Sequence, residues 1–87
     1  MAENIFVIEI VPDSDEIKLE DVIELIKQKL PSYAKLVDHK KEPFVYGIYK
    51  LIIRVVVPEK EGLADEIESI LSSIEGISAE VVRMGRL

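Results

Sequence analysis

Branched aliphatic residues occupy nearly every step from Ile5 to Val11, with Glu9 the only charge among them, and the run closes at Pro12. That density predicts an inner strand of a sheet, ended by a residue with no N–H to give to a ladder. Asp13 to Ile17 is a polar connection. From Leu19 the period changes. Leu19, Val22, Ile23, Ile26 and Leu30 follow helical spacing, forming one apolar stripe. Glu20 and Asp21 in the first turn and Lys27 and Lys29 in the last suit the helix dipole, and Pro31 stops the helix. Its N-cap is weak, because Lys18 stands where Asp or Ser would hold the first amides.

Tyr33 to Lys41 is polar, with Leu36 its clearest inward position, and Lys35, Lys40 and Lys41 suit an edge guarded against stray pairing. Leu51 to Val57 is the most β-branched run, apolar on both faces except at Arg54, and predicts a central strand. Between them, Phe44, Tyr46 and Tyr49 gather around Pro43 and Gly47, where a loop turns into that strand. Pro58 to Gly62 is a loop, and Ala64, Ile67, Ile70, Leu71 and Ile74 form a second helical stripe, with Gly76 as the C′ residue. Ala79 to Met84 is a last strand, followed by a basic tail containing Arg86.

The order β-α-β-β-α-β predicts an α+β, ferredoxin-like sandwich: a four-stranded antiparallel sheet with two helices on one face, built as a single domain over 1–87. The first and third strands should be central. Phe6, Ile8 and Ile10 would then face the helices. Ile5, Val7, Glu9 and Val11 would face outward with Ile52, Arg54 and Val56, relieved by a Glu9–Arg54 pair. The third and fourth strands run parallel, and on that basis Tyr46 and Arg86 are expected at one end of the molecule.

Net charge is −6, from 17 acidic and 11 basic residues. A field of that sign repels phosphate backbones, so direct nucleic-acid binding is not expected, whereas a basic protein surface would be attracted. The absence of cysteine excludes disulfides and thiolate metal sites. Without a second histidine nearby, His39 reads as a solvent-facing strand residue rather than a ligand. No apolar run approaches the ~20 residues of a membrane span, and the start lacks a secretory signal, so a cytoplasmic protein with no membrane partner is expected. No phosphate loop, nucleophile elbow or His–acid spacing is present. The sequence reads as a binding module, not an enzyme, with no cofactor.

Glu42 to Leu51, Glu-Pro-Phe-Val-Tyr-Gly-Ile-Tyr-Lys-Leu, followed by Val-Val-Val-Pro-Glu (55–59), resembles the archaeal translation elongation factor 1-beta family. So do Ser-Ile-Glu-Gly-Ile (73–77) and the terminal Gly-Arg-Leu (85–87). The resemblance spans essentially the whole chain. It implies a guanine-nucleotide exchange factor for elongation factor 1-alpha, the GTPase that delivers aminoacyl-tRNA to the ribosome. It also implies that Tyr46, where Phe is commoner, packs against that GTPase; Phe44, Gly47 and Lys50 beside it in the chain are further candidate partner contacts. Arg86, where Lys is usual in eukaryotic members, would reach toward the partner's Mg²⁺ and phosphate region, beside Leu87. Gly62-Leu63-Ala64 departs from a Gly-Gly-Thr-like pattern and lacks its hydroxyl cap. An exchange factor should act as a monomer. The alternative is a ferredoxin-like regulatory or small-ligand-binding module that dimerises through its open sheet face.

Overall fold

A computed structural model describes residues 2–87. Six elements follow in the expected order: β1 (Glu3–Pro12), α1 (Leu19–Lys29), β2 (Lys35–Val45), β3 (Ile48–Pro58), α2 (Leu63–Ser72) and β4 (Ile77–Arg86). The strands form one antiparallel sheet in the order β2-β3-β1-β4. The two most hydrophobic strands therefore lie inside and the polar, lysine-rich β2 at an edge, giving the ferredoxin-like α+β arrangement.

Alternation assigns the faces. Phe6, Ile8 and Ile10 of β1 and Leu51, Ile53, Val55 and Val57 of β3 are buried with Leu19, Val22 and Ile26 of α1 and Ile67, Leu71 and Ile74 of α2. No polar or charged side chain is buried among the described residues, so the core is held by apolar contact alone. Ile5, Val7, Glu9, Val11, Ile52 and Val56 are only half-buried on the opposite face, as their alternation predicts.

Details differ from the sequence reading. Leu63, immediately before the expected stripe, is buried, whereas Ile70 stays partly exposed. Gly76 is not the C′ residue of α2. The helix is closed by Ser73, whose N–H donates to the Ser69 and Ile70 carbonyls, and Gly76 sits beyond it at φ +90° in the turn into β4. There its carbonyl accepts the Asp13 N–H at 2.8 Å, tying the β1 exit to the β4 entry. Lys18 and Gly62 both stand at N-caps with no side-chain hydrogen bond, the latter at φ +83°.

The expected Glu9–Arg54 pair does not form. Glu9 lies opposite Ile52, placing Lys50 and Arg54 on the two diagonals, and Lys50 takes the carboxylate at 3.4 Å. Arg54 lies directly opposite Asp38 on β2 and makes a two-pronged contact with it, Nε to Oδ1 at 2.8 Å and Nη2 to Oδ2. A directly opposite carboxylate presents both oxygens to the guanidinium fork, a match the diagonal Glu9 cannot offer. That hydrogen bond, offset by desolvation and helped by the charge of Arg54, holds the Asp38 carboxyl below its ordinary pKa.

Candidate hairpin and tail sites

The stretch read from sequence as a loop is mostly strand. Glu42 to Val45 continues β2 and Ile48 to Lys50 begins β3, joined by only two residues, Tyr46 and Gly47. Both have positive φ, +47° and +79°, the signature of a type I′ hairpin turn whose twist matches that of the flanking strands. Glycine takes this conformation freely; tyrosine does so at a cost, and Tyr46 is the one non-glycine residue with positive φ among the described residues. Its ring gains nothing inside the protein in return, since the residue is 99% exposed.

Pro43 is tolerated because β2 is an edge strand. Pairing runs from Pro43–Tyr49 to Val45–Ile48, leaving Phe44 as the extra residue of a bulge. The bulge brings its ring toward Lys50, whose Nζ lies 5.6 Å from the ring centroid and also within 3.4 Å of Glu9 Oε2. Phe44, Val45, Tyr46 and Tyr49 are all among the exposed large hydrophobic residues, so the hairpin carries an apolar tip. Beneath Tyr49 and Gly47, a shallow cavity of about 170 Å³ is lined also by Ile17, Lys18 and Lys41.

Arg86 and Leu87 are elsewhere. Arg86 lies opposite Asn4, which pairs on its other side with Val57 near the end of β3, whereas Tyr46 precedes the start of β3. The expectation that they share one end is therefore wrong. Parallel strands bring start to start and end to end, so the end of β4 lies with the end of β3. The two sites are separated by the length of β3, about 30 Å at 3.3 Å per residue, in a molecule 42 Å long.

Nor is the tail loose. Leu87 N–H donates to the Glu3 carbonyl at 2.9 Å, continuing the β1 ladder. The Arg86 guanidinium contacts the Glu59 carboxylate, and Glu59 is itself fixed by a 3.1 Å bond from its N–H to the Ala2 carbonyl. Along β4 an extra residue, Val82, shifts the register between the pairs Val7–Arg83 and Ile8–Val81. It thereby sets which of the final residues fall on which face. The bulge is buttressed from α2, since the Glu68 carboxylate accepts the Val81 N–H at 2.8 Å.

Of the six candidates, the fold gathers Phe44, Tyr46, Gly47 and Lys50 at one end and places Arg86 and Leu87 at the other. Glu9, Val45 and Glu59, contact partners or neighbours of these residues, were missed as site residues. Glu9 had a signal, being the single charge in an otherwise apolar inner strand. The Glu59 contact depends on a loop crossing beside the chain end, which no local pattern shows. His39 is exposed on β2, as expected.

Residues 5–87 match the family model described as the EF-1 guanine nucleotide exchange domain. "Elongation factor 1-beta" of Sulfurisphaera tokodaii is 44% identical over 89 residues, covering 100% of this chain and 98% of the relative. The proteins of that name from Metallosphaera sedula and Sulfolobus acidocaldarius are 43% and 42% identical, over 98% and 92% of their own lengths. Among solved structures, a chain of the archaeal box H/ACA sRNP Nop10-Cbf5 complex superposes with a TM-score of 0.57 at 14% identity. It covers 98% of this chain but only 27% of that one, a likeness of fold alone.

Proposed function

This chain belongs to the family of EF-1 guanine nucleotide exchange domains, and from that premise we propose that it promotes GDP release and GTP loading on translation elongation factor 1-alpha. The observation that carries the reading is Tyr46. The left-handed backbone of Tyr46 costs stability, and its ring, fully in water, compensates that cost with no contact within the molecule. Such a residue is explained by a partner that covers it. Fully burying a side chain of this size is worth about 2–3 kcal/mol, enough to anchor a transient complex.

The separation of the two sites supports a partner that is long or multi-domain. A GTPase touching both Tyr46 and Arg86 must span about 30 Å, with the hairpin as anchor and the Arg86 end at the nucleotide. The mechanism is linkage: a factor that prefers the nucleotide-free partner weakens nucleotide binding by the same factor. A guanidinium brought toward a site that holds Mg²⁺ and phosphates favours loss of the metal, and the phosphates then lose their main counter-charge. Arginine remains charged and presents a planar fork, so Arg86 can contact phosphate in two places as well as repel the metal. Each ~1.4 kcal/mol taken from the release barrier speeds release about tenfold. The protein needs no nucleotide pocket and makes no covalent bond in this role, so it acts as an exchange factor rather than as an enzyme. Its place of action is the cytoplasm, where the translation machinery works; no helix among the described residues is long and apolar enough to cross a membrane.

The half-buried aliphatics of the open face, Ile5, Val7, Val11, Ile52 and Val56, are what favours the dimerising alternative. Release of a fluorescent GDP analogue from elongation factor 1-alpha separates the two readings. The intact protein should accelerate release as a monomer, and truncation after Gly85 should abolish most of the acceleration. A folded protein that dimerises and leaves release unchanged would overturn the exchange reading.

A further inference from the structure

Lys50 is the most enclosed cation among the ion pairs of the described residues, its side chain 18% exposed, and Glu9 the most enclosed carboxylate, at 30%. The ammonium is shared between that carboxylate, at 3.4 Å, and the Phe44 ring, at 5.6 Å to its centroid. Phe44 is the unpaired residue of its bulge, so ladder pairing alone does not fix its direction. A cation over the ring face is attracted by the ring quadrupole, and a carboxylate behind the cation holds it there. Lys50 has few unspent contacts to offer a partner.

We propose that Glu9 is a positioning residue of the hairpin site: acting through Lys50, it holds the Phe44 ring in the orientation that a partner meets. The proposal rests on the exchange reading for what the site binds and adds to it a residue from β1. It also assigns Lys50 to orientation rather than to direct contact. The relay is Glu9 to Lys50 to Phe44. Arg54, the other cation diagonal to Glu9, is already engaged by Asp38 and does not compete.

The test uses the full chain and the variants Glu9→Gln, Phe44→Leu and the double variant. Glu9→Gln keeps the shape and removes the charge. In GDP-release titrations it should raise the concentration for half-maximal effect about two- to fivefold, the range of an exposed cation–π contact, and leave the maximal rate unchanged. In the Phe44→Leu background the same substitution should add nothing, because the ring it acts on is gone. Proton NMR supplies a readout independent of exchange: the Lys50 ε-methylene resonances, shifted upfield by the ring in the wild type, should move toward ordinary values in Glu9→Gln. An unchanged ring shift in Glu9→Gln would overturn the proposal, as would losses that multiply in the double variant. If the intact folded protein gives no acceleration, the exchange reading fails by itself, and the ring shift alone then upholds or refutes the relay.

Discussion

In the proposed exchange role, Tyr46 is a residue at which stability and binding are opposed. Asparagine tolerates the left-handed region better than tyrosine, so Tyr46→Asn should raise stability against unfolding by about 0.5–1 kcal/mol. The same change removes the anchor and should raise the half-saturating concentration in GDP release about 30-fold, the equivalent of about 2 kcal/mol. Urea denaturation and a release titration measure the two effects, and a coupled loss of both would contradict this account. Tyr33 has a different kind of role. Its hydroxyl donates to Glu66 Oε1 at 2.6 Å, fastening the turn before β2 to α2. Burial, then the hydrogen bond and charge of Glu66, push its pKa up from 10.0 to about 12. The folded state therefore favours the protonated phenol. The stabilisation is complete below pH 10 and is lost as pH rises toward 12. Tyr33→Phe should cost about 1 kcal/mol at neutral pH and narrow its deficit across that alkaline range, as urea unfolding at stepped pH would show.

At the level of elements, the turns decide more than the strands do. Gly76 holds φ +90°, and a Cβ there would lie 2.6 Å from Ile17 Cδ1. The contact is with the end of a flexible side chain, which can move, so the backbone dominates the cost. Gly76→Ala should destabilise by about 1–2 kcal/mol, and thermal unfolding would record it as a fall of several degrees. The strands themselves were legible: the alternation at Phe6, Ile8 and Ile10 and the branched run from Leu51 to Val57 fix type and face by local sterics and burial. The hairpin was less so, because Pro43 and Gly47 both signal a break. Only pairing reveals that an edge position accommodates the proline and that a one-residue bulge restores the register. The ends of α2 were misjudged for a related reason, since burial of Leu63 and capping by Ser73 depend on what packs beside them.

Over the whole molecule, charge is unevenly divided. On the open face Glu3, Glu9, Asp38, Glu42 and Glu80 are equalled in number by Lys35, Lys40, Lys50, Arg54 and Arg83, so the net −6 resides off this face. An anionic surface would accordingly meet least repulsion at the sheet. In the proposed exchange role the hairpin and the tail work from ends about 30 Å apart, and sites that far apart act independently. Tyr46→Ala should raise the half-saturating concentration, deletion of Arg86-Leu87 should lower the maximal release rate, and the combined variant should show both losses multiplied. A combined loss smaller than the product would indicate one shared contact. The sequence alone determined the order of elements, the inner strands, the apolar stripes and the aromatic stretch at 42–51, because each rests on residues near one another along the chain. Only the tertiary structure decided that Glu9 takes Lys50 rather than Arg54, that Arg86 takes Glu59, and that the hairpin and the tail lie at opposite ends. These follow from register and strand direction, which relate residues distant in the chain and leave no local period to read.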